Sequence, residues 1–291
     1  MYNASEHRVV KQLQASIENE LDRVGLLSRV FSRAKSLESL NAKIDREPGK
    51  YAANGRKIQD LFGVRVALYF PDDNQIAQSA IKNLYTFNEM DSTIDVPDKD
   101  TFSASRCNLI FTLPQELVDE SEIIGNNELV DSTFEVQLRT TLSEGWHEVE
   151  HDLRYKCRGD WESHDDLSRA LNGIFASLET AEWSMLKLFE ELAYRHYKAH
   201  EWPQMIRTKF RLRTGNVLSE KIIGVLNDKP ELGKILHRLN RGEFVKNLLE
   251  SNAALPITLD NIFYLCNHFY MKDDDVNNII PEPIKQICSE L

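Results

Sequence analysis

The stretch Ser132–Arg139, STFEVQLR, alternates polar and apolar side chains. Phe134, Val136 and Leu138 fall on one side, and Glu135, Gln137 and Arg139 on the other. A period of two is a strand signature, so one face must find a core while the other carries a carboxylate, an amide and a guanidinium. A sheet is therefore obligatory, although most of the chain reads as helix. Val64–Phe70 and CNLIFTLP, from Cys107, read as two further strands, ended by Pro71 and Pro114. Helical spacing runs through Val9, Val10, Leu13, Ile17, Leu21 and Val24. A helix is also expected from about Leu37, another over 74–87, one from near Leu142, and a long one from His164 to His200. The segment from Ser32, SRAKS, is expected to be a basic loop entering the helix from Leu37. IQDLFG reads as a helix end with a positive-φ turn at Gly63, and 91–105 as a loop. Trp202-Pro203 breaks the pattern, and short helices follow. The expected architecture is an α+β core over 1–203, a mixed β-sheet flanked by helices, followed by a helical C-terminal region over 204–291.

The 291 residues suffice for a sizeable core. A 42% apolar and 28% charged composition is that of a globular chain. Four dispersed cysteines, with no C-x-x-C pair, suggest neither a disulfide framework nor a zinc ribbon, and fit a reducing cytoplasm. No apolar run reaches the about 18 residues that span a bilayer. A net charge of −11 opposes broad duplex binding, yet leaves room for a local basic pocket.

Trp146–Lys156, WHEVEHDLRYK, contains H-E-x-x-H. Read alone, it offers His147 and His151 as zinc ligands on one helix face, with Glu148 as base. The extended zinc pattern fails: Arg154 stands where Gly is needed and Cys157 where a third His is needed. A solvated helix face is the stronger reading. Cys266 and His268 have no matching ligand pair and read as packing residues.

Three other elements compete for the same chemistry. Arg33 and Lys35, with Ser39 and Lys43, offer cations and a hydroxyl near a helix start, which suits polyphosphate. Asp60, with Arg65 beyond Gly63, is a carboxylate that can hold Mg²⁺. Glu135, Gln137 and Arg139 share a strand face, where Glu135 can complete a metal site or act as base and Arg139 can pair with phosphate. Singly, each has a plainer reading: solvated cations, a capping Asp, an ordinary ion pair.

Together, R-x-K-x-x-x-S-x-x-x-K at Arg33–Lys43, D-x-x-G-V-R-V at Asp60–Val66, E-V-Q-L-R-T at Glu135–Thr140 and the WHEVEHDLRYK helix resemble the RelA/SpoT synthetase domain, in order and in spacing. The resemblance covers roughly residues 5–200 and implies a nucleotidyltransferase-like fold. It also implies transfer of the β,γ-pyrophosphate of ATP to the 3′-hydroxyl of a guanosine nucleotide, making (p)ppGpp with Mg²⁺ as cofactor. On that reading Arg33, Lys35, Ser39 and Lys43 clamp the ATP phosphates, and Arg65, Gln137 and Arg139 complete the phosphate pocket. Asp60 and Glu135 are the catalytic and metal-binding pair. His151 and Lys156 lie on the acceptor side. The long members carry a hydrolase domain before the synthetase; the short stretch before Arg33 leads to the expectation of a synthetase-only member.

One motif departs. Members carry G-Y-x-S-L-H before E-x-Q-x-R-T, whereas this chain reads FSASRCNLIF from Phe102. The Tyr and His are absent, leaving Phe102, Arg106 and Asn108 as acceptor contacts. Three readings follow: an alarmone synthetase with a remodelled acceptor pocket, a relative acting on a tRNA 3′ end or an adenosine nucleotide, or a non-catalytic nucleotide-binding relative. The run IRTKFRLR, Ile206–Arg213, suggests an RNA contact against the plainer reading of a solvated helix face. No membrane partner is expected, and a homo-oligomer is left open.

Overall fold

A computed structural model describes residues 4–95, 106–251 and 255–291. They fall into two compact units: 1–20 with 28–180, and 21–27 with 181–291.

The first unit is built on a five-stranded sheet of order β1-β2-β5-β4-β3. The strands are β1 (Ser28–Ala34), β2 (Phe62–Leu68), β3 (Phe87–Ile94), β4 (Cys107–Thr112) and β5 (Thr133–Thr140). β2 and β5 run parallel, with Gly63 opposite Glu135 and Arg65 opposite Gln137. The other pairings are antiparallel. The alternation read in β5 is realised: Phe134, Val136 and Leu138 are buried, joined by Val64 and Val66 of β2 and by Leu109 and Phe111 of β4. Phe111 and Phe134 stack at 5.5 Å, and Tyr85 meets Phe134 edge-on at 4.9 Å. Helix α1 (Ala4–Arg23) buries Val9, Val10, Leu13 and Ile17. It is tied to β1 by Gln14, whose Nε2 donates to the Val30 carbonyl at 2.9 Å and whose Oε1 accepts from Ser32 Oγ at 2.7 Å. Buried Glu6 of α1 accepts from Ser121 Oγ and the Ile123 amide.

The remaining helices of this unit are α2 (Leu37–Arg46), α3 (Asn74–Leu84), α4 (Gln115–Glu120), α5 (Glu122–Asn126), α6 (Thr141–Glu150) and α7 (Arg158–Trp161). Ser36 caps α2 by accepting from the Ser39 amide, and Thr140 caps α6 by accepting from the Ser143 amide. One π turn, His151–Tyr155, follows α6. Helix α8 (Asp165–Ala199) contributes residues to both units.

Four local expectations are corrected. Arg33 lies on edge strand β1, with Lys35 just past its end, rather than on a loop. Residues 58–61 are not helical, and Ile58 bridges to Val130 instead. Gly63 sits inside β2 and is not among the positive-φ glycines, which are Gly25 and Gly49 among the described residues. Phe87–Ile94, partly assigned to a loop, is a strand with a register shift between Asn88 and Thr93.

The second unit is helical. Its elements are α9 (Trp202–Phe210), α10 (Glu220–Asp228), α11 (Pro230–Arg238), α12 (Arg241–Glu250), α13 (Leu259–Cys266), α14 (Asp274–Ile279) and α15 (Glu282–Ser289), with a π turn at Asn267–Met271. Trp202, Phe210, Phe244 and Phe263 centre the core. Pro203 occupies the first turn of α9, where its missing N–H costs nothing. A Cβ on Gly233 would fall 2.4 Å from the Trp202 ring, so this close approach requires glycine. The basic run Ile206–Arg213 is not one solvated face, because Arg211 is buried in the left-handed cap of α9. Cys266 is buried, which pushes its thiol well up in pKa. No helix among the described residues is long and apolar enough to cross a membrane.

Candidate active site

The polar face of the sheet opens into a cleft of about 960 Å³. β1 contributes Phe31 and Arg33, β2 Gly63 and Arg65, and β5 Glu135, Gln137 and Arg139. Lys35, Ser39, Lys43, Arg46 and Asp60 close one end. Helix α6 and the π turn supply Glu144, His147, Glu148, Glu150, His151 and Tyr155, with Lys156 just beyond. Gly63 is flanked in register by Arg33 and Glu135. A Cβ there would meet only the Arg33 carbonyl oxygen, at an ordinary 3.7 Å, so neither a turn nor crowding calls for the glycine.

Asp60 is the hub of the basic end. Lys43 Nζ donates to both its carboxylate oxygens at 3.0 Å. Lys35 Nζ donates to Oδ2 and, at 3.1 Å, to the Asp60 carbonyl. Burial would raise the Asp60 pKa, but the two lysines outweigh it and hold the carboxyl below its ordinary range. Burial lowers the Lys35 pKa. At Lys43 burial works the same way, yet the Asp60 charge prevails and the pKa rises.

Glu135 is treated differently. Its partners are neutral amides: Asn108 Nδ2 at 3.0 Å and Gln137 Nε2 at 2.8 Å. Burial first, and the negative charge of Asp60 second, raise its pKa above the ordinary carboxylate value. Two carboxylates that repel through a shared site, one of them without a hydrogen-bonded cation, suit a divalent ion. Among the described residues no cluster of three or more metal-binding side chains exists. A pair of carboxylates is the usual protein share of a Mg²⁺ site completed by water and phosphate oxygens.

Glu144 organises the arginines. Its Oε1 accepts from Arg65 Nη1 at 3.1 Å and its Oε2 from Arg139 Nη1 at 2.8 Å. Arg139 also donates to Gln137 Oε1 at 3.1 Å, which carries the network back to Glu135. Glu148 takes a second bond from Arg65 and is half exposed. His147 packs against Trp146 and Phe175, at ring distances of 5.2 and 5.8 Å. Its Nε2 is buried without a partner. Burial, reinforced by Arg139 and Arg65, brings its pKa down to about 4, so the ring is neutral at pH 7.

The structure thus brings Arg33, Lys35, Ser39, Lys43, Asp60, Arg65, Glu135, Gln137, Arg139, His151 and Lys156 to one cleft. Asn108 reaches it through Glu135. Arg106 does not line it, and instead pairs with Asp95 at 2.9 Å. Phe102 lies outside the described residues. His151 stacks on Tyr155 at 5.8 Å and pairs with Asp152, which also binds Lys156. Sequence reasoning missed Phe31, Glu144 and Tyr155. The (i, i+4) spacing of Glu144 and Glu148 signals a shared face, but their arginine partners come from separate strands.

Residues 32–160 match a family model described as a region found in RelA / SpoT proteins. Among solved structures, small alarmone synthetase 1 from Bacillus subtilis bound to its product pppGpp aligns at 19% identity and a TM-score of 0.51. That alignment covers 65% of this chain and 95% of that one, and the fold is shared. A second structure of that synthetase gives 19% identity and a TM-score of 0.48, covering 63% of this chain and 92% of that one. A GTP pyrophosphokinase family protein from Streptococcus pneumoniae gives 20% and 0.43, covering 62% and 87%. No curated protein matches the chain.

Proposed function

We propose, with a RelA/SpoT synthetase region over residues 32–160 as the premise, that this cleft transfers the β,γ-pyrophosphate of ATP to the 3′-hydroxyl of a guanosine nucleotide. The observation that supports the reading most is the meeting of one lysine-bound carboxylate, Asp60, and one amide-bound carboxylate, Glu135, on a wall of arginines.

In the transfer, the 3′-oxygen bonds to the β-phosphorus while the bond from that phosphorus to the α,β-bridging oxygen breaks. AMP leaves, and the hydroxyl proton passes to Glu135. A carboxylate whose pKa is raised by burial is a better proton acceptor than an ordinary one. Arg33, Lys35 and Lys43 would hold the donor phosphates, with the Ser39 hydroxyl at the start of α2. Arg65 and Arg139, fixed by Glu144, would meet charge that develops on the transferred group, where preorganised donors contribute most. Asp60 and Glu135 would hold Mg²⁺, which when bound neutralises phosphate charge. His151 and Lys156 would border the acceptor.

The missing Tyr and His of the acceptor motif keep a second reading in play: the same transfer to an adenosine nucleotide or a tRNA 3′ end. One assay separates them. Purified protein is incubated with Mg²⁺, γ-labelled ATP and GDP, GTP, ADP, ATP or bulk tRNA. Label on guanine nucleotides supports the first reading, and label on tRNA or an adenosine nucleotide supports the second. Label on none of them refutes the transferase.

A further inference from the structure

Phe31 stands out on the cleft wall. It lies on edge strand β1, where side chains alternate. Ser32 turns back to Gln14 of α1, so Phe31 and Arg33 turn forward. Phe31 is 51% exposed, in a cleft otherwise lined mainly by charged and polar groups. Its register partner on β2 is Arg65, and Arg33 follows two residues on along the same face. The other aromatic side chain of the cleft, Tyr155, is already engaged, with His151 stacked at 5.8 Å and the Arg158 guanidinium 4.6 Å from its ring. Phe31 has no ring partner among the described residues.

Cations alone bind phosphate without regard to what the phosphate carries. A ligand with phosphates at one end and a flat apolar base at the other needs a flat apolar surface beside the cations. Base–aromatic stacking supplies it, and a flanking guanidinium adds to it. We propose that Phe31 is the stacking platform for a purine base of a nucleotide in this cleft. The inference rests on the reading of the cleft as a nucleotide site and adds a residue that selects nucleotides over bare polyphosphate.

The test is calorimetric binding of a non-hydrolysable ATP analogue, GDP and inorganic tripolyphosphate to wild type, Phe31→Ala, Phe31→Leu and Phe31→Trp. Phe31→Ala is expected to weaken one of the nucleotides about tenfold and to leave tripolyphosphate unchanged. Which nucleotide weakens tells whether the donor or the acceptor base stacks there. Phe31→Trp is expected to restore binding, and Phe31→Leu, apolar but without a ring, to restore little. Unchanged binding of both nucleotides to Phe31→Ala overturns the platform while leaving the nucleotide site intact, as does an equal loss of tripolyphosphate. Wild type that binds neither nucleotide nor tripolyphosphate overturns the nucleotide reading and the platform with it.

Discussion

The two faces of strands β2 and β5 carry different tasks on alternate residues. On one face Val64, Val66, Phe134, Val136 and Leu138 are buried in the core. On the other, Arg65, Arg139, Gln137 and Glu135 are linked by a chain of hydrogen bonds that passes through Glu144, between the two arginines, and ends on Asn108. Neighbours in sequence therefore belong to different problems. Phe134 is held by rings and Glu135 by amides. Burial stabilises the first and perturbs the second, whose charged form is disfavoured by desolvation.

The largest effect that tests this division is Glu135→Gln. Pyrophosphate transfer is expected to fall about a thousandfold, with the thermal midpoint little changed. A variant that unfolds instead would show that the polar face also carries the fold. Phe134→Ala should do the reverse. It should lose about 3–5 kcal/mol in urea unfolding, while specific activity per folded molecule stays near wild type. A large loss of activity in fully folded Phe134→Ala would join the two faces.

The pH profile sharpens the same contrast. A Glu135 that acts as the base and leaves Mg²⁺ to Asp60, with its pKa raised by burial, places the acid limb of kcat above the ordinary carboxylate value of 4.5. A limb at or below that value would contradict the buried-base reading. His147 adds a dependence of stability on pH. Its ring takes a proton near 6.5 when unfolded but only at about 4 in the fold. The native state therefore resists protonation, and this contribution is complete above 6.5 and lost as pH falls toward about 4. Replacing it by Gln should flatten the pH dependence of the urea midpoint over that window, and an unaltered slope would remove His147 from the account.

The smallest expected effect is at Glu148. It is half exposed and shares Arg65 with Glu144. A phosphate must compete with it, so Glu148→Gln should tighten nucleotide binding a few-fold, more at low salt than at high. Weaker binding would mean that Glu148 positions Arg65 rather than competing for it.

How much of this was legible follows the same division. β5 was readable because its core face is Phe-Val-Leu and its other face is charged. β1 was not, since its buried positions are Ser28, Val30 and Ala34, and a single large apolar residue gives no period. β3 hid for a related reason: it is a polar edge strand with a register shift, and its Met90 is almost fully exposed. The basic end of the cleft followed from motif spacing, because its residues lie close along the chain. The Glu144 network did not, since a carboxylate on a helix gives no sign of which strand arginines it will bridge. Gly63 reads as a turn because a glycine before a strand usually marks one, whereas here it lies inside β2.

The parallel pairing of β2 with β5 has a consequence for how the protein is made. The rest of the sheet is antiparallel, but the two strands beside the cleft belong to distant parts of the chain. Asp60 lies two residues before β2, and Glu135 lies within β5. Their approach waits on the pairing of non-local segments, a slow step in folding because loop entropy is lost before contacts repay it. During synthesis, Arg33, Lys35, Lys43 and Asp60 are complete long before Glu135 emerges. A nascent chain therefore holds the cations of the site without the carboxylate assigned to the proton. The two carboxylates come together only when β5 takes its place beside β2.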